Sequence, residues 1–187
     1  MKIKMIKFKS VKSTSEEAHK LIKKDLVTPT LITAENQTKG RGTMGKKWIS
    51  IKGNLFFSIF FSINDTKINY KQFALLNAYL IKNILSKYVL KKINIKWPND
   101  ILIEKKKICG ILQEIIHYKE KHFLIIGVGI NTYTSPKIKN FKTSSLQKFT
   151  KKKIDNNKIL IDIKKKYEKL ISDIEKYKFS YLKEKLS

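Results

Sequence analysis

Apolar and polar residues alternate with period two in "MIKFKSV" (5–11), and that spacing predicts a strand. "STSEEAHKLIKK" follows. Ser13 or Thr14 is placed to cap a helix there, with Glu16 and Glu17 in the first turn, where the positive end of the helix dipole favours acids. "TPTLITAE" (28–35) reads as a second strand. Residues 36–47 lack any period, are polar and Gly-rich, and so form a loop. "GNLFFSIFFSI" (53–63) is apolar on both faces, the mark of a central strand. "INYKQFALLNAYLIKNILSKY" (68–88) carries apolar residues at three- and four-residue spacing and predicts an amphipathic helix.

"INIKW", "DILIE", "KICGILQEII" and "HFLIIGVGI" come next as strand-like runs. Short turns, "EKKK" and "HYKEK", join the last three, which predicts an antiparallel meander. From about 155 the pattern is helical to the end. At 187 residues, with no repeat and no linker, the chain is expected to form one domain over 1–187. The predicted fold class is α+β: a mixed, mostly antiparallel central sheet with flanking helices.

A formal net charge of +26 changes the picture only partly. Such a charge suits a polyanion, an anionic membrane or an acidic protein partner. The lysines, however, are spread along the whole chain, as on a diffuse solvated surface. Heavy use of Lys and Ile with scarce Ala, Gly and Arg also resembles the drift of A/T-rich codons. One cysteine, Cys109, excludes an intrachain disulfide, and His19, His117 and His122 do not stand at zinc-ligand spacings. No apolar run approaches the roughly 18 residues a bilayer span needs, and nothing at the N-terminus reads as a signal peptide. A cytoplasmic protein without a membrane partner is expected.

"TKGRGTMGKKWIS" (38–50) holds Arg41, the only arginine, and three of the chain's seven glycines. Glycines let backbone N–H groups approach an anion, and a guanidinium matches a carboxylate or phosphate bidentately, as an ammonium does not. Where Lys serves almost everywhere else, one Arg points to a geometric requirement. Lys46 and Lys47 add positive field. The loop is neither a phosphate loop of the Gly-Lys-Ser/Thr kind nor a dinucleotide fingerprint, and a mobile surface turn is the competing reading.

Three further constellations favour a site. Ser13, Thr14 and Ser15 gather hydroxyls at a strand-to-helix junction, although a plain N-cap explains them equally. "KWPNDILIEKKKICGILQE" (96–114) sets Lys96, Asn99 and Asp100 around a proline-stiffened turn and Lys107 and Gly110 on the next strand. "IIGVGIN" (125–131) ends a buried strand with two glycines and Asn131, and a glycine inside a strand signals close approach of a ligand or another backbone.

With "FKTSSLQ" and the early "STS", these stretches stand in the order and spacing of biotin protein ligases, which the chain resembles from about residue 8 to 146. The resemblance implies a fold related to the catalytic domain of class II aminoacyl-tRNA synthetases. It implies two half-reactions: biotin and ATP give biotinyl-5′-adenylate and pyrophosphate, and a lysine of the biotin carboxyl carrier protein of acetyl-CoA carboxylase then displaces AMP. Carried over by position, the resemblance implies Ser13, Thr14 and Ser15 at the ureido ring and pocket floor, and Gln37 at biotin. It implies Gly40, Arg41, Gly42 and Thr43 in the loop that closes over biotin and the adenylate phosphate. Lys107 falls at the biotin carboxylate and α-phosphate, so that Arg41 and Lys107 are the expected catalytic pair. Gly110 and Leu112 would line the pocket. Trp48 and Asn131 fall near the nucleotide, and Lys96, Asn99 and Asp100 at the triphosphate and Mg²⁺, with Asp100 as the expected metal ligand.

The sequence departs from that pattern in places. Thr43 and Lys46 stand where arginines are usual, and Cys109 falls where small apolar residues are usual, so it reads as packing. No helix-turn-helix precedes residue 8 and the chain ends soon after its last helical run, so a catalytic core without specific DNA binding and without an SH3-like C-terminal domain is expected. A homodimer joined at a sheet edge is the oligomer the resemblance suggests. Lipoate ligases and octanoyltransferases of the same fold are the enzymatic alternative, and a basic nucleic-acid-binding module is the non-enzymatic one.

Overall fold

The computed structural model describes residues 2–139 and 141–186. In chain order the elements are β1 (Lys4–Val11), α1 (Thr14–Lys23), β2 (Thr30–Gln37), β3 (Leu55–Ser62), α2 (Tyr70–Leu85), β4 (Ile93–Lys96), β5 (Asp100–Ile103), β6 (Lys106–Tyr118), β7 (Lys121–Ile130), α3 (Asn156–Ile174) and α4 (Phe179–Leu186). The strands form one seven-stranded sheet in the order β1-β2-β3-β7-β6-β5-β4. β1 and β2 run parallel, joined through α1, and every other neighbouring pair is antiparallel. The α+β class follows, and the antiparallel meander from β5 to β7 is the one the sequence predicts, with β4 added antiparallel at its edge.

Alternation along the central strands divides the core in two. Leu55, Phe57, Ile59 and Phe61 of β3, with Leu124, Ile126, Val128 and Ile130 of β7, join the large cluster under α2, α3 and α4. Phe60 of β3, with Phe123 and Ile125 of β7, meets Ala18 and Ile22 of α1 and Ile32 of β2 in a smaller cluster on the opposite face. Both faces of β3 and β7 are therefore covered at one end. The short helix α1 covers only part of its face, and beyond it β7 presents Gly127 and Gly129 in place of Phe123 and Ile125.

A buried polar chain ties the helical layer to β6. Tyr167 Oη donates to Asn77 Oδ1 at 3.1 Å, Asn77 Nδ2 donates to Gln113 Oε1 at 2.8 Å, and Gln113 Nε2 donates to the Tyr70 carbonyl at 2.8 Å. Each partner is satisfied, which fixes the strand that carries Lys107, Gly110 and Leu112.

Several boundaries differ from those predicted. The second strand is displaced from 28–35 to Thr30–Gln37, because its pairing with β1 continues to the Val11–Gln37 rung. The predicted helix 68–88 narrows to Tyr70–Leu85, opened by a reciprocal capping box between Asn69 and Gln72. The terminal helical pattern is two helices, broken after Ile174. Ser13 stands at the N-cap of α1, yet its side chain makes no capping bond; the Thr14 N–H is taken by Gln37 Oε1 at 2.8 Å. The hydroxyls at this junction are thus left for another use. Cys109 is fully buried, and burial pushes its thiol far above the usual range, which agrees with packing.

Candidate active site

Where α1 stops covering the sheet, a cavity of about 690 Å³ opens. Of the residues expected at a site, Ser13, Thr14, Ser15, Gln37, Arg41, Gly42, Thr43, Trp48, Lys96, Asn99, Asp100, Lys107, Gly110, Leu112 and Asn131 all line it. Gly40 does not. It is buried behind the loop, where its carbonyl accepts from the Trp48 N–H at 2.9 Å. A β-carbon there would fall 2.5 Å from the Trp48 carbonyl, so Gly40 permits the loop to fold back.

One wall is a hydroxyl cluster. Thr14 Oγ1 donates to Gln37 Oε1 at 3.1 Å and lies 2.8 Å from Ser58 Oγ, which lies 3.1 Å from Ser15 Oγ. Gln37 is itself oriented, since its Nε2 donates to Ser50 Oγ at 3.1 Å. With the Thr14 proton directed to Gln37, Ser58 must donate to Thr14 and Ser15 to Ser58. The protons run toward Gln37, and the Ser15 oxygen keeps both of its lone pairs free to accept. Ser58 was not singled out from the sequence, although a serine amid "LFFSIFFS" is the polar exception that marks it.

The loop 38–47 is an ordered fold-back. Arg41 and Lys47 form a bridge, the Gly42 N–H donates to the Lys46 carbonyl at 2.7 Å, and Thr43–Gly45 is a single 3-10 turn. Asn99 Nδ2 donates to Thr43 Oγ1 at 3.3 Å and to the Ile111 carbonyl at 3.2 Å, joining the loop to the turn between β4 and β5. The indole that follows the loop lies on the glycines of the sheet. A β-carbon on Gly129 would come within 2.2 Å of Trp48 Cε2, and one on Gly110 within 2.7 Å of Trp48 Cζ3. The close approach that glycines in these strands announce is therefore made, in this state, by Trp48.

Lys107 crosses the middle of the cavity. Its Nζ pairs with Asp100 Oδ1 at 2.5 Å and lies 5.4 Å from the Trp48 ring centroid and 5.6 Å from that of Phe141. Its backbone is held by the Lys142 carbonyl and the Ser144 N–H. Lys96 Nζ also lies over the Phe141 ring, 5.1 Å from its centroid. Asn131, buried at the end of β7, donates from Nδ2 to the Ser144 carbonyl at 3.1 Å, while its Oδ1 is buried without a partner. Trp48 Nε1 is likewise buried and unpartnered. An unmet buried polar atom costs about 1–3 kcal/mol, so both are poised for a ligand that completes them.

Arg41 does not point its charge freely into the cavity. Its Nη2 pairs with Glu114 Oε1 on β6, and the other carboxylate oxygen lies 3.6 Å from His19 Nε2 on α1. Burial alone would raise the Glu114 carboxyl, but His19 and Arg41 together bring it below its usual value. Neither Glu114 nor this use of His19 is legible in the sequence. For Mg²⁺ the residues offer little: among the described residues no group of three or more His, Cys, Asp or Glu is arranged to hold a metal, and Asp100 is the one carboxylate lining the cavity. A single carboxylate suits Mg²⁺ arriving on a triphosphate, since that ion keeps water and phosphate ligands.

Fold and cavity together define a class: an α+β domain with a cavity lying over the β6 and β7 strands of its sheet. The chain belongs to the biotin/lipoate A/B protein ligase family, whose model matches residues 7–131. It is 33% identical over 178 residues to the bifunctional ligase/repressor BirA of Bacillus subtilis, a match covering 91% of this chain and 54% of that protein. The chain thus spans about half the length of the curated relatives it matches first. Among solved structures, biotin protein ligase from Aquifex aeolicus in complex with biotin and ATP superposes with a TM-score of 0.80 at 29% identity, covering 98% of this chain and 76% of that one. Biotin acetyl coenzyme A carboxylase synthetase from Helicobacter pylori with bound biotinylated ATP gives 0.69 at 27% identity, covering 90% and 75%.

Proposed function

We propose that this chain is an ATP-dependent ligase that activates biotin as biotinyl-5′-AMP and passes the biotinyl group to a lysine of the biotin carboxyl carrier protein of acetyl-CoA carboxylase. The observation that carries the reading is the order of groups along β7. Gly127 faces the hydroxyls of Ser15 and Ser58, Gly129 pairs with Gly110 beside Lys107, and Asn131 follows with its unpartnered oxygen. At about 3.3 Å per residue the series spans roughly 13 Å. A neutral polar head, a carboxylate and an adenine base attached to the same ligand meet complementary groups in that order.

In the first step a carboxylate oxygen of biotin attacks the α-phosphorus of ATP, and pyrophosphate leaves. Two anions must meet. Lys107 and Arg41 offset their repulsion in a site partly shielded from water, where such charges act strongly. Ser13, Thr14, Ser15 and Gln37 hold the ureido head, Gly110 and Leu112 line the path of the side chain, and Gly42 and Thr43 close over it. Asn131 and Trp48 hold the nucleotide base, and Lys96, Asn99 and Asp100 receive the triphosphate. Mg²⁺ bound to that triphosphate at Asp100 would lower its charge. In the second step the carrier amine attacks the acyl carbon and AMP leaves with the bonding electron pair.

Among the described residues no helix is long and apolar enough to cross a membrane, and a buried free thiol at Cys109 suits the reducing cytoplasm where this reaction is proposed. The test is to incubate the protein with biotin, MgATP and a carrier domain and to weigh the carrier. A mass gain of one biotinyl group supports the reading. A gain with lipoate and none with biotin would replace it by lipoate ligation within the same family.

A further inference from the structure

The cavity's guanidinium is held by a carboxylate that itself lies outside the cavity wall. Glu114 sits on β6 two residues beyond Leu112 and so on the same face. It receives Arg41 from the loop, 73 positions away in sequence, and His19 from the middle of α1. Its side chain is only 20% exposed, against 37% for Arg41 and 30% for His19. The contact with Arg41 runs through one terminal nitrogen. A guanidinium has five N–H donors, so most remain for an anion in the cavity.

We propose that Glu114 is a positioning residue: its carboxylate, with His19 Nε2 3.6 Å from its other oxygen, holds the Arg41 guanidinium at the rim of the cavity so that the free N–H groups are already aimed when a substrate anion enters. A half-exposed ion pair contributes little to overall stability. Its effect is on geometry. The loop contains three glycines within six residues, Met44 at its tip is 92% exposed, and its side-chain tie to the β4–β5 turn is the single bond from Asn99 to Thr43. The loop's backbone bonds order its own fold-back, and the Arg41–Glu114 pair ties that unit to the sheet, so the guanidinium needs no search in the binding step. The alternation of β6 places Gln113 in the buried polar chain beneath α2, so the carboxylate is mounted on a rigid strand.

The inference rests on the reading that Arg41 meets the substrate anion, and its test has one arm that does not. In the ligand-free protein, trypsin cannot take Arg41 into its specificity pocket while the side chain is engaged with Glu114. Glu114→Gln is expected to raise cleavage after Arg41 relative to cleavage after Lys47 about twofold, the population change that loss of a modest ion pair implies, with a melting temperature within about 2 °C of the wild type. In the second arm, Glu114→Gln is expected to raise KM for biotin in adenylate formation in the wild-type background and to change it by less than about twofold beside Arg41→Lys, because the two residues act as a unit. Unchanged cleavage after Arg41, or an equal KM penalty in both backgrounds, overturns the proposal. Absence of biotin-dependent pyrophosphate release in the wild type would count against the proposed function alone, and the trypsin arm would still decide whether Glu114 holds Arg41.

Discussion

Trp48 lies so close over Gly129 that the two share a space no side chain could enter: a β-carbon there would meet Trp48 Cε2 at 2.2 Å and Nε1 at 2.5 Å. Gly129→Ala must therefore displace the indole. Overpacking of this kind costs about 1–3 kcal/mol, and each kcal/mol lowers Tm by roughly 2–4 °C in a chain of this length. Thermal melts and the emission maximum of Trp48, read in a Trp97→Phe background, check it. An unshifted spectrum with native stability would mean that the indole does not rest on the strand.

Lys107→Gln removes the ammonium at the centre of the cavity and keeps most of the side-chain length. Biotin-dependent pyrophosphate release is expected to fall about 10²–10³-fold, the usual loss for a group that stabilises developing charge. Asp100 loses its partner at 2.5 Å, but both side chains reach solvent, at 21% and 16% exposure, so the fold should persist by circular dichroism. Wild-type turnover would refute the role of Lys107.

Arg41→Lys keeps the charge and loses the planar fork. An ammonium cannot bond Glu114 and a substrate anion in the fixed directions that a guanidinium offers. Turnover is expected to drop at least about tenfold, equivalent to 1.4 kcal/mol of transition-state stabilisation. Steady-state assays of adenylate formation decide the matter, and an unchanged rate would place this arginine away from the chemistry.

Asn131→Ala deletes the unpartnered acceptor at the far end of β7 together with its bond to the Ser144 carbonyl. The KM for ATP is expected to rise about tenfold, while the thermal stabilisation given by biotin alone stays the same. Equal weakening of both ligands would remove Asn131 from the nucleotide end.

The Glu114 carboxyl is lowered in the folded state, where His19 and Arg41 outweigh its burial. A lowered folded-state value means stability that is fully present above the ordinary carboxylate value of about 4.3 and is lost as pH falls through the folded one. Urea midpoints measured from pH 7 down to pH 3 should therefore decline more in the wild type than in Glu114→Gln, with the difference developing below about pH 5. Parallel declines would show that Glu114 is not held in its ionised form.

Strands and helices were legible because their periods repeat. The double-faced apolar run at 53–63 could only be central, and β3 does lie between β2 and β7. Ends were less legible, because they depend on partners: β2 runs on to Gln37 only because Val11 pairs with it. Residues grouped by short motifs came together in one cavity. What pattern could not reveal were side chains that act across the fold. Gln37 holds the first N–H of α1 as well as facing the cavity. Gly40, grouped with its loop neighbours by proximity in sequence, turns out to serve the backbone. Glu114 looks like a lone acid in an apolar strand until Arg41 and His19 arrive from elsewhere.

One face of β7 changes character in a single stride, from Phe123 and Ile125 packed beneath α1 to Gly127 and Gly129, whose bare backbone is approached by Ser15 Oγ and the Trp48 indole along the cavity. The same strand is thus a wall for part of its length and a trough for the remainder, and the border falls between Ile125 and Gly127. How deep a guest can sit is then governed by one rung of the ladder. A side chain at Gly127 would meet Ser15 Oγ, 2.5 Å from its β-carbon, and would advance the wall by about one residue pair, some 6.6 Å, leaving a shallower cavity. A change of guest within this architecture requires no new fold, only a different place along β7 at which side chains stop.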